Sequence, residues 1–299
     1  MRIAIMTGGH SLERELSFRS GTEAEWAIKE LGHDCKTFDV GSAFVHDLTA
    51  YAPDVAFCAL LGAPGENGEL QGLLELLEIP YTHSGTLATA LTMDKTKSKA
   101  VLSESNLPVP KGKLVHRQDI EAEHQMDAPY VIKPNDNGSS LGGLYLVENL
   151  DNPPPKIKEN GRDIFMIEEY VPGRELTVSV LGDRPLAASQ FEFEGVNDYV
   201  TKYHHASENH TVPAQLPCDV ETRLMDLALA THRALGCRGL TRTDFRWDEA
   251  RGPDGLYILE LNSQPGFRRN SYSGLHAKHC GIDFPQLCDW LIQDASLMR

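Results

Sequence analysis

The chain opens with an apolar run, Arg2–Met6, that ends at Gly8-Gly9 and predicts a strand. Ser20 with Glu23 three residues on reads as a capping box. Ala24, Ala27, Ile28 and Leu31 then recur at helical spacing up to a stop at Gly32. A second apolar run, Val55–Leu61, leads into a Gly-rich turn over 62–68 and a helix carrying Leu70, Leu73, Leu74 and Leu77. Strand–helix alternation of this kind predicts a parallel α/β layer with ligands at the C-terminal ends of its strands.

The pattern changes in the middle of the chain. Apolar runs at 130–133, 143–147, 165–171 and 176–182, the last two split by Pro172-Gly173, predict consecutive antiparallel strands. A polar, Pro-containing loop fills 150–162. The last third predicts a helix over about 219–235, with Leu224, Leu227, Ala228 and Leu235 inward. Strands at 239–247 and 256–262 follow, joined by the turn ARGPDG. A final amphipathic helix starts near Pro285, with Leu287, Leu291 and Leu297 buried. The fold class is therefore α/β followed by α+β.

Composition narrows the function classes. With 299 residues the chain suits two or three domains, and it can bury about 75% of its extended surface without staples. The balance of 43 acidic against 28 basic residues, a net charge of −15, argues against a general nucleic-acid binder. Local clusters of Lys and Arg can still hold an anionic small molecule. No apolar stretch approaches the length of a membrane span, and the N-terminus turns polar too early for a secretory signal. Six scattered cysteines without a CxxC pair read as reduced thiols in a cytoplasmic setting.

Candidate chemistry concentrates at the C-terminal hairpin. Side chains alternate faces along a strand, so Arg242 and Asp244 share a face, as do Glu260 and Asn262. A hairpin closing at the midpoint, residue 252, sets Asp244 opposite Glu260 and Arg242 opposite Asn262. Two carboxylates and an amide oxygen suit a hard cation such as Mg²⁺; the alternative is a solvated, charged hairpin face. Gly138-Ser139-Ser140 with Gly142-Gly143, close behind Lys133, offers N–H groups, hydroxyls and an ammonium to an anion, or is only a Gly/Ser turn. It matches neither a Walker loop nor a Rossmann fingerprint. His204, His205 and His210 fit no zinc spacing, and no nucleophile elbow occurs. The long polar stretch 194–212 is expected to be an active-site lid.

Eight segments in order resemble those of the ATP-grasp ligases, and within them the D-alanine–D-alanine ligase family. They are GGHSLERELSFRSG (8–21), GAPGENGELQGLLELLEIPYTHSG (62–85), MDKTKSK (93–99), YVIKPNDNGSSLGG (130–143), IEEYVPGRELTV (167–178), DYVTKY (198–203), GCRGLTRTDF (236–245) and ELNSQPG (260–266). The resemblance implies a three-domain ATP-grasp architecture: an N-terminal α/β substrate domain over 1–93, a central domain over 94–183 and a C-terminal domain over 184–299. It implies a cytoplasmic homodimer that joins two D-alanines through an acyl phosphate for peptidoglycan synthesis, with ATP as co-substrate and two Mg²⁺ ions (Mn²⁺ as the alternative). Lys95, Lys133, Lys202, Ser139 and Ser140 would meet the phosphates. Glu168 and the backbone around Glu169–Val171 would hold adenine, and Glu175 the ribose. Asp244, Glu260 and Asn262 would be the metal ligands. Glu13, in a network with Ser139 and Tyr203, would bind the first amine. Arg242 and the N–H of Gly266 would form the oxyanion site, and Ser271 would bind the second carboxylate.

The chain departs from the family pattern in three places. Leu61 stands where a histidine is usual, Asn67 replaces an aspartate, and Phe267-Arg268 replaces Met-Thr. These changes border the amino-acid subsites. They keep open a related ligase with another amino or hydroxy acid, and a non-catalytic ATP-binding protein.

Overall fold

The computed structural model describes residues 1–41, 43–136, 143–157, 163–191 and 210–298. Strands β1 (Arg2–Thr7), β2 (Asp34–Asp39) and β3 (Val55–Cys58) form a parallel sheet in the order β2-β1-β3. Helix α1 (Arg14–Glu30) joins β1 to β2, and α2 (Phe44–Tyr51) joins β2 to β3. The expected start of α1 at Ser20 is wrong. The helix begins six residues earlier, after Glu13, and Ser20 is buried within it. A Ser-x-x-Glu pair also occurs by chance inside a helix, and here small side chains let α1 lie close on the sheet: Ser17 Oγ accepts from the Gly8 N–H and donates to the Ala59 carbonyl. The run predicted as a strand to Leu61 ends as a strand at Cys58; the Ala59 N–H still donates to the Met6 carbonyl, and beyond it the Leu60 and Leu61 carbonyls accept from the Gln264 and Ser11 side chains.

Helices α3 (Glu69–Leu76), α4 (Thr86–Met93) and α5 (Lys95–Glu104) lead to a second sheet. Its strands β4 (Gly112–His116), β5 (Tyr130–Pro134), β6 (Tyr145–Val147) and β7 (Ile164–Glu169) are antiparallel in the order β4-β7-β5-β6, with α6 (Arg117–Ala122) following β4. β8 (Arg174–Leu181) does not continue this sheet as the run of strands suggested. It pairs with β9 (Arg184–Phe191) and β11 (Leu240–Trp247) in a third sheet, ordered β10-β9-β8-β11-β12, with β10 at His210–Thr211 and β12 at Leu256–Asn262. The boundary expected between 183 and 184 thus falls in the turn of one hairpin. The chain changes sheets at Gly173, whose φ of +93° favours glycine and whose missing Cβ would lie 2.0 Å from the Trp247 carbonyl oxygen.

Helices α7 (Cys218–Ala234), α8 (Tyr272–His279) and α9 (Phe284–Asp294) complete the described elements. α7 buries Leu224, Leu227 and Ala228 against β8 and β11, as its spacing predicted. α9 carries Phe284, Leu287 and Leu291 into one core with Ile3, Ile5 and Phe57 of the first sheet, so the end of the chain covers its beginning. Leu297 lies beyond α9 and is half-buried. Among the described residues no helix is long and apolar enough to cross a membrane.

Candidate active site

The predicted hairpin register is the one found. Asp244 pairs with Glu260 and Arg242 with Asn262. The register then slips by one, so that Phe245 faces Ile258 and Leu259 is an extra residue. The slip decides which way Glu260 points. Strict alternation would put Glu260 on the core face with Leu256 and Ile258. The bulge turns it to the opposite face, and the core alternation resumes at Leu261. Instead of the turn expected at ARGPDG, a 3₁₀ segment, Glu249–Gly255, closes the hairpin.

On the cleft face the charges are already paired. Asp244, 1% exposed, accepts from Arg242 Nε at 2.9 Å, Arg242 Nη2 at 3.1 Å and Thr177 Oγ1 at 2.6 Å. The Arg242 guanidinium also lies over the Tyr272 ring, 5.7 Å from its centroid. Glu260 pairs with Lys95 Nζ at 3.2 Å. These two carboxylates stand beside the amide of Asn262, whose Nδ2 is buried with no hydrogen-bond partner among the described residues. Glu66, Lys95, Glu260 and Asn262 line one small cavity. Among the described residues no three His, Cys, Asp or Glu side chains cluster closely enough to hold a metal. A cation here would therefore use the two carboxylates with the Asn262 oxygen. These hard oxygen donors fit Mg²⁺.

Helix α5 links this end of the cleft to the second sheet. Asp94 caps it by accepting from the Lys97 N–H, and Asn135, just past β5, accepts the Lys95 and Thr96 N–H groups. Lys95 and Lys99 sit four residues apart, hence on one face. Lys95 meets Glu260. Lys99 meets Glu168 Oε2, while Lys133 Nζ meets Glu168 Oε1 at 2.5 Å. Burial would raise the Glu168 carboxyl, but the two ammoniums outweigh it and hold the pKa at about 2. Glu175 lies 4.0 Å from Arg246, whose Nε and Nη2 donate to the Val171 carbonyl and the Tyr170 hydroxyl. In the segment expected to hold adenine, the Glu169 and Tyr170 N–H groups donate to the Lys111 and Pro129 carbonyls. Glu169 itself is exposed and Val171 is buried.

The first sheet contributes Glu13, 4% exposed at the start of α1. Gly62, with φ +69°, passes so close that a Cβ there would sit 3.0 Å from Glu13 Oε2 and 2.6 Å from Ser11 Oγ. Glu66 accepts from the Gly62 N–H at 2.8 Å, and burial together with the Glu13 carboxylate pushes its carboxyl up to about 8. Leu61 is 5% exposed and its carbonyl accepts from Ser11 Oγ. Space is open where a Cβ of Gly266 would be. Ser271 caps α8, accepting from the Gly274 N–H and donating to the Arg268 carbonyl, so its hydroxyl proton is engaged. Ser139, Ser140, Lys202 and Tyr203 lie outside the described residues, as does nearly all of the expected lid. The end of that stretch is strand β10, not loop. Sequence reasoning missed Lys99 and Glu66, although both lie inside segments that carried the resemblance.

Residues 101–293 match the family described as D-ala D-ala ligase C-terminus. The whole chain aligns with 97% of a D-alanine–D-alanine ligase of Cereibacter sphaeroides at 45% identity, and with 97% of one from Ruegeria pomeroyi at 47%. Among solved structures, the Bacillus anthracis D-alanine–D-alanine ligase complexed with ATP superposes with a TM-score of 0.79 at 24% identity, covering 98% of this chain and 97% of that one. A second structure of the same enzyme gives 0.79 at 26% identity. The fold is thus that of the ATP-grasp ligases.

Proposed function

The chain belongs to the D-alanine–D-alanine ligase family, and from that premise we propose that it joins two D-alanines at the expense of ATP, through an acyl phosphate on the first, to supply dipeptide for peptidoglycan. One observation carries the reading: the bulged hairpin brings Arg242, Asp244, Glu260 and Asn262 to a single face, with Lys95 bonded to Glu260.

In this reading the carboxylate of the first D-alanine attacks the γ-phosphorus, ADP leaves, and the amine of the second D-alanine displaces phosphate through a tetrahedral adduct. Glu13 accepts from the first ammonium, and its burial makes that contact a strong one. Lys95 and Lys133 neutralise the phosphate chain, joined by Lys202, Ser139 and Ser140 on the strength of the resemblance. Glu168 and the 169–171 backbone hold adenine, and Glu175 the ribose. Arg242, fixed by Asp244, and the Gly266 N–H receive the oxyanion, where fixed donors contribute most. Ser271 reaches the second carboxylate if its proton turns from the Arg268 carbonyl, and Tyr203 completes the first subsite with Ser139. Asp244, Glu260 and Asn262 would hold two Mg²⁺ ions, or Mn²⁺, which when bound neutralise developing phosphate charge.

We divide the chain into a substrate domain and two ATP-grasp domains, with the last sheet beginning at Arg174. The six free cysteines fit a cytoplasmic setting, and the homodimer rests on the family resemblance alone. Phosphate release from ATP with D-alanine, L-alanine or D-lactate, with products identified by mass, tests the reading. Dipeptide from D-alanine supports it; release only with another acid, or with none, rejects it.

A further inference from the structure

Lys99 is a buried cation with no task in the reaction as described. It is 6% exposed on α5, bonded to Glu168, itself 3% exposed. Glu168 faces Val131 across β5–β7, which makes Lys133, two residues on, its diagonal neighbour on the same face. On the other side its partner is Gly112, so no side chain competes from β4. One carboxylate therefore serves two ammoniums, and this cluster carries a net positive charge inside a chain of net charge −15.

We propose that Lys99 is a positioning residue for the nucleotide. It keeps Glu168 ionised and turned to the base, so that Lys133 can leave Glu168 for the phosphate chain. The inference rests on Glu168 being the acceptor for the adenine amine. When Lys133 moves to a phosphate, a carboxylate this deeply buried needs another cation, because an unpaired buried charge is costly. Lys99 is that cation. Its own partner lies on β7, while Lys95, one turn earlier, holds the acid at the other end of the cleft. Without Lys99, Glu168 and Lys133 become an isolated pair. When Lys133 leaves for the phosphates, Glu168 then takes up a proton and stops accepting from the amine.

The test compares ATP with purine riboside triphosphate, which lacks only the 6-amino group, in wild type, Lys99→Met and Lys99→Arg. Wild type should favour ATP about tenfold or more in kcat/KM, the size of one hydrogen bond to a charged group. Lys99→Met should reduce that preference to within about twofold and raise KM for ATP about tenfold, while KM for D-alanine stays within about twofold. Lys99→Arg should restore the preference. If Lys99→Met does not fold, Lys99→Gln is read in the same way. Equal losses on both nucleotides with the preference intact would make Lys99 merely structural and overturn the proposal. A wild type without any preference would overturn it at its premise, the adenine role of Glu168.

Discussion

Asp244 and Glu260 stand opposite one another on β11 and β12, one position before the slip that leaves Leu259 unpaired. Directly opposed residues share a face, and the slip just beyond this pair is what lets Leu256 and Ile258 of the same strand face the core. Asp244 is satisfied by Arg242 and Thr177, and Glu260 pairs with Lys95, so neither buried carboxylate is left without a partner.

Glu260→Gln should abolish detectable ligation at any Mg²⁺ concentration while leaving the melting temperature nearly unchanged. The substitution removes one anionic ligand but keeps the shape of the side chain. Rates titrated against Mg²⁺ provide the check. A variant with near-normal turnover at limiting Mg²⁺ would take Glu260 out of the metal site.

Gly62→Ala should damage the first amino-acid subsite. An added methyl group would meet Ser11 and the Glu13 carboxylate, and the left-handed backbone adds about 1–2 kcal/mol of strain. Displacing a binding group by about an ångström can cost up to roughly 100-fold, so KM for the first D-alanine should rise by about ten- to hundredfold with KM for ATP unchanged. Initial rates with each substrate varied in turn separate the two constants. A parallel rise in both would point to general unfolding of the turn.

Leu61→His should raise kcat/KM for D-alanine. Leucine offers only apolar surface beside Gly62, where an imidazole could donate a hydrogen bond towards the first substrate. A bond of this kind is worth about 1–3 kcal/mol, or roughly 5- to 150-fold. Steady-state kinetics on both forms decide it. A loss of D-alanine activity in the variant would instead make Leu61 a determinant of the present specificity.

The hairpin could be read from sequence because alternation and a turn fix both register and face, and the two central pairs lie before the bulge takes effect. Helix α5 could not. Its buried face is Lys95, Ser98, Lys99 and Leu102, at helical spacing but mostly polar, because it holds ion pairs where hydrophobic periodicity would look for core. Lys99 was hidden for the same reason, and Glu66 because a carboxyl in a Gly-rich turn looks solvated until the fold half-buries it beside Glu13. β8 was recognisable as a strand, but its apolar pattern does not name its partners, so its place in the third sheet emerged only from the structure. Ser20 misled because a local cap signal says nothing about the six residues before it, of which Ser17 is buried between Gly8 and Ala59 of the first sheet's edge loops.

The central claim is that the carboxylate of one D-alanine is phosphorylated before a second D-alanine attacks it. Ligation of D-alanine carrying ¹⁸O in both carboxylate oxygens, in unlabelled water, tests this most directly. Each phosphate released should carry one ¹⁸O atom, and the dipeptide should keep the other three. Unlabelled phosphate alongside dipeptide would contradict it, since the carboxylate oxygen would then never have been bonded to phosphorus.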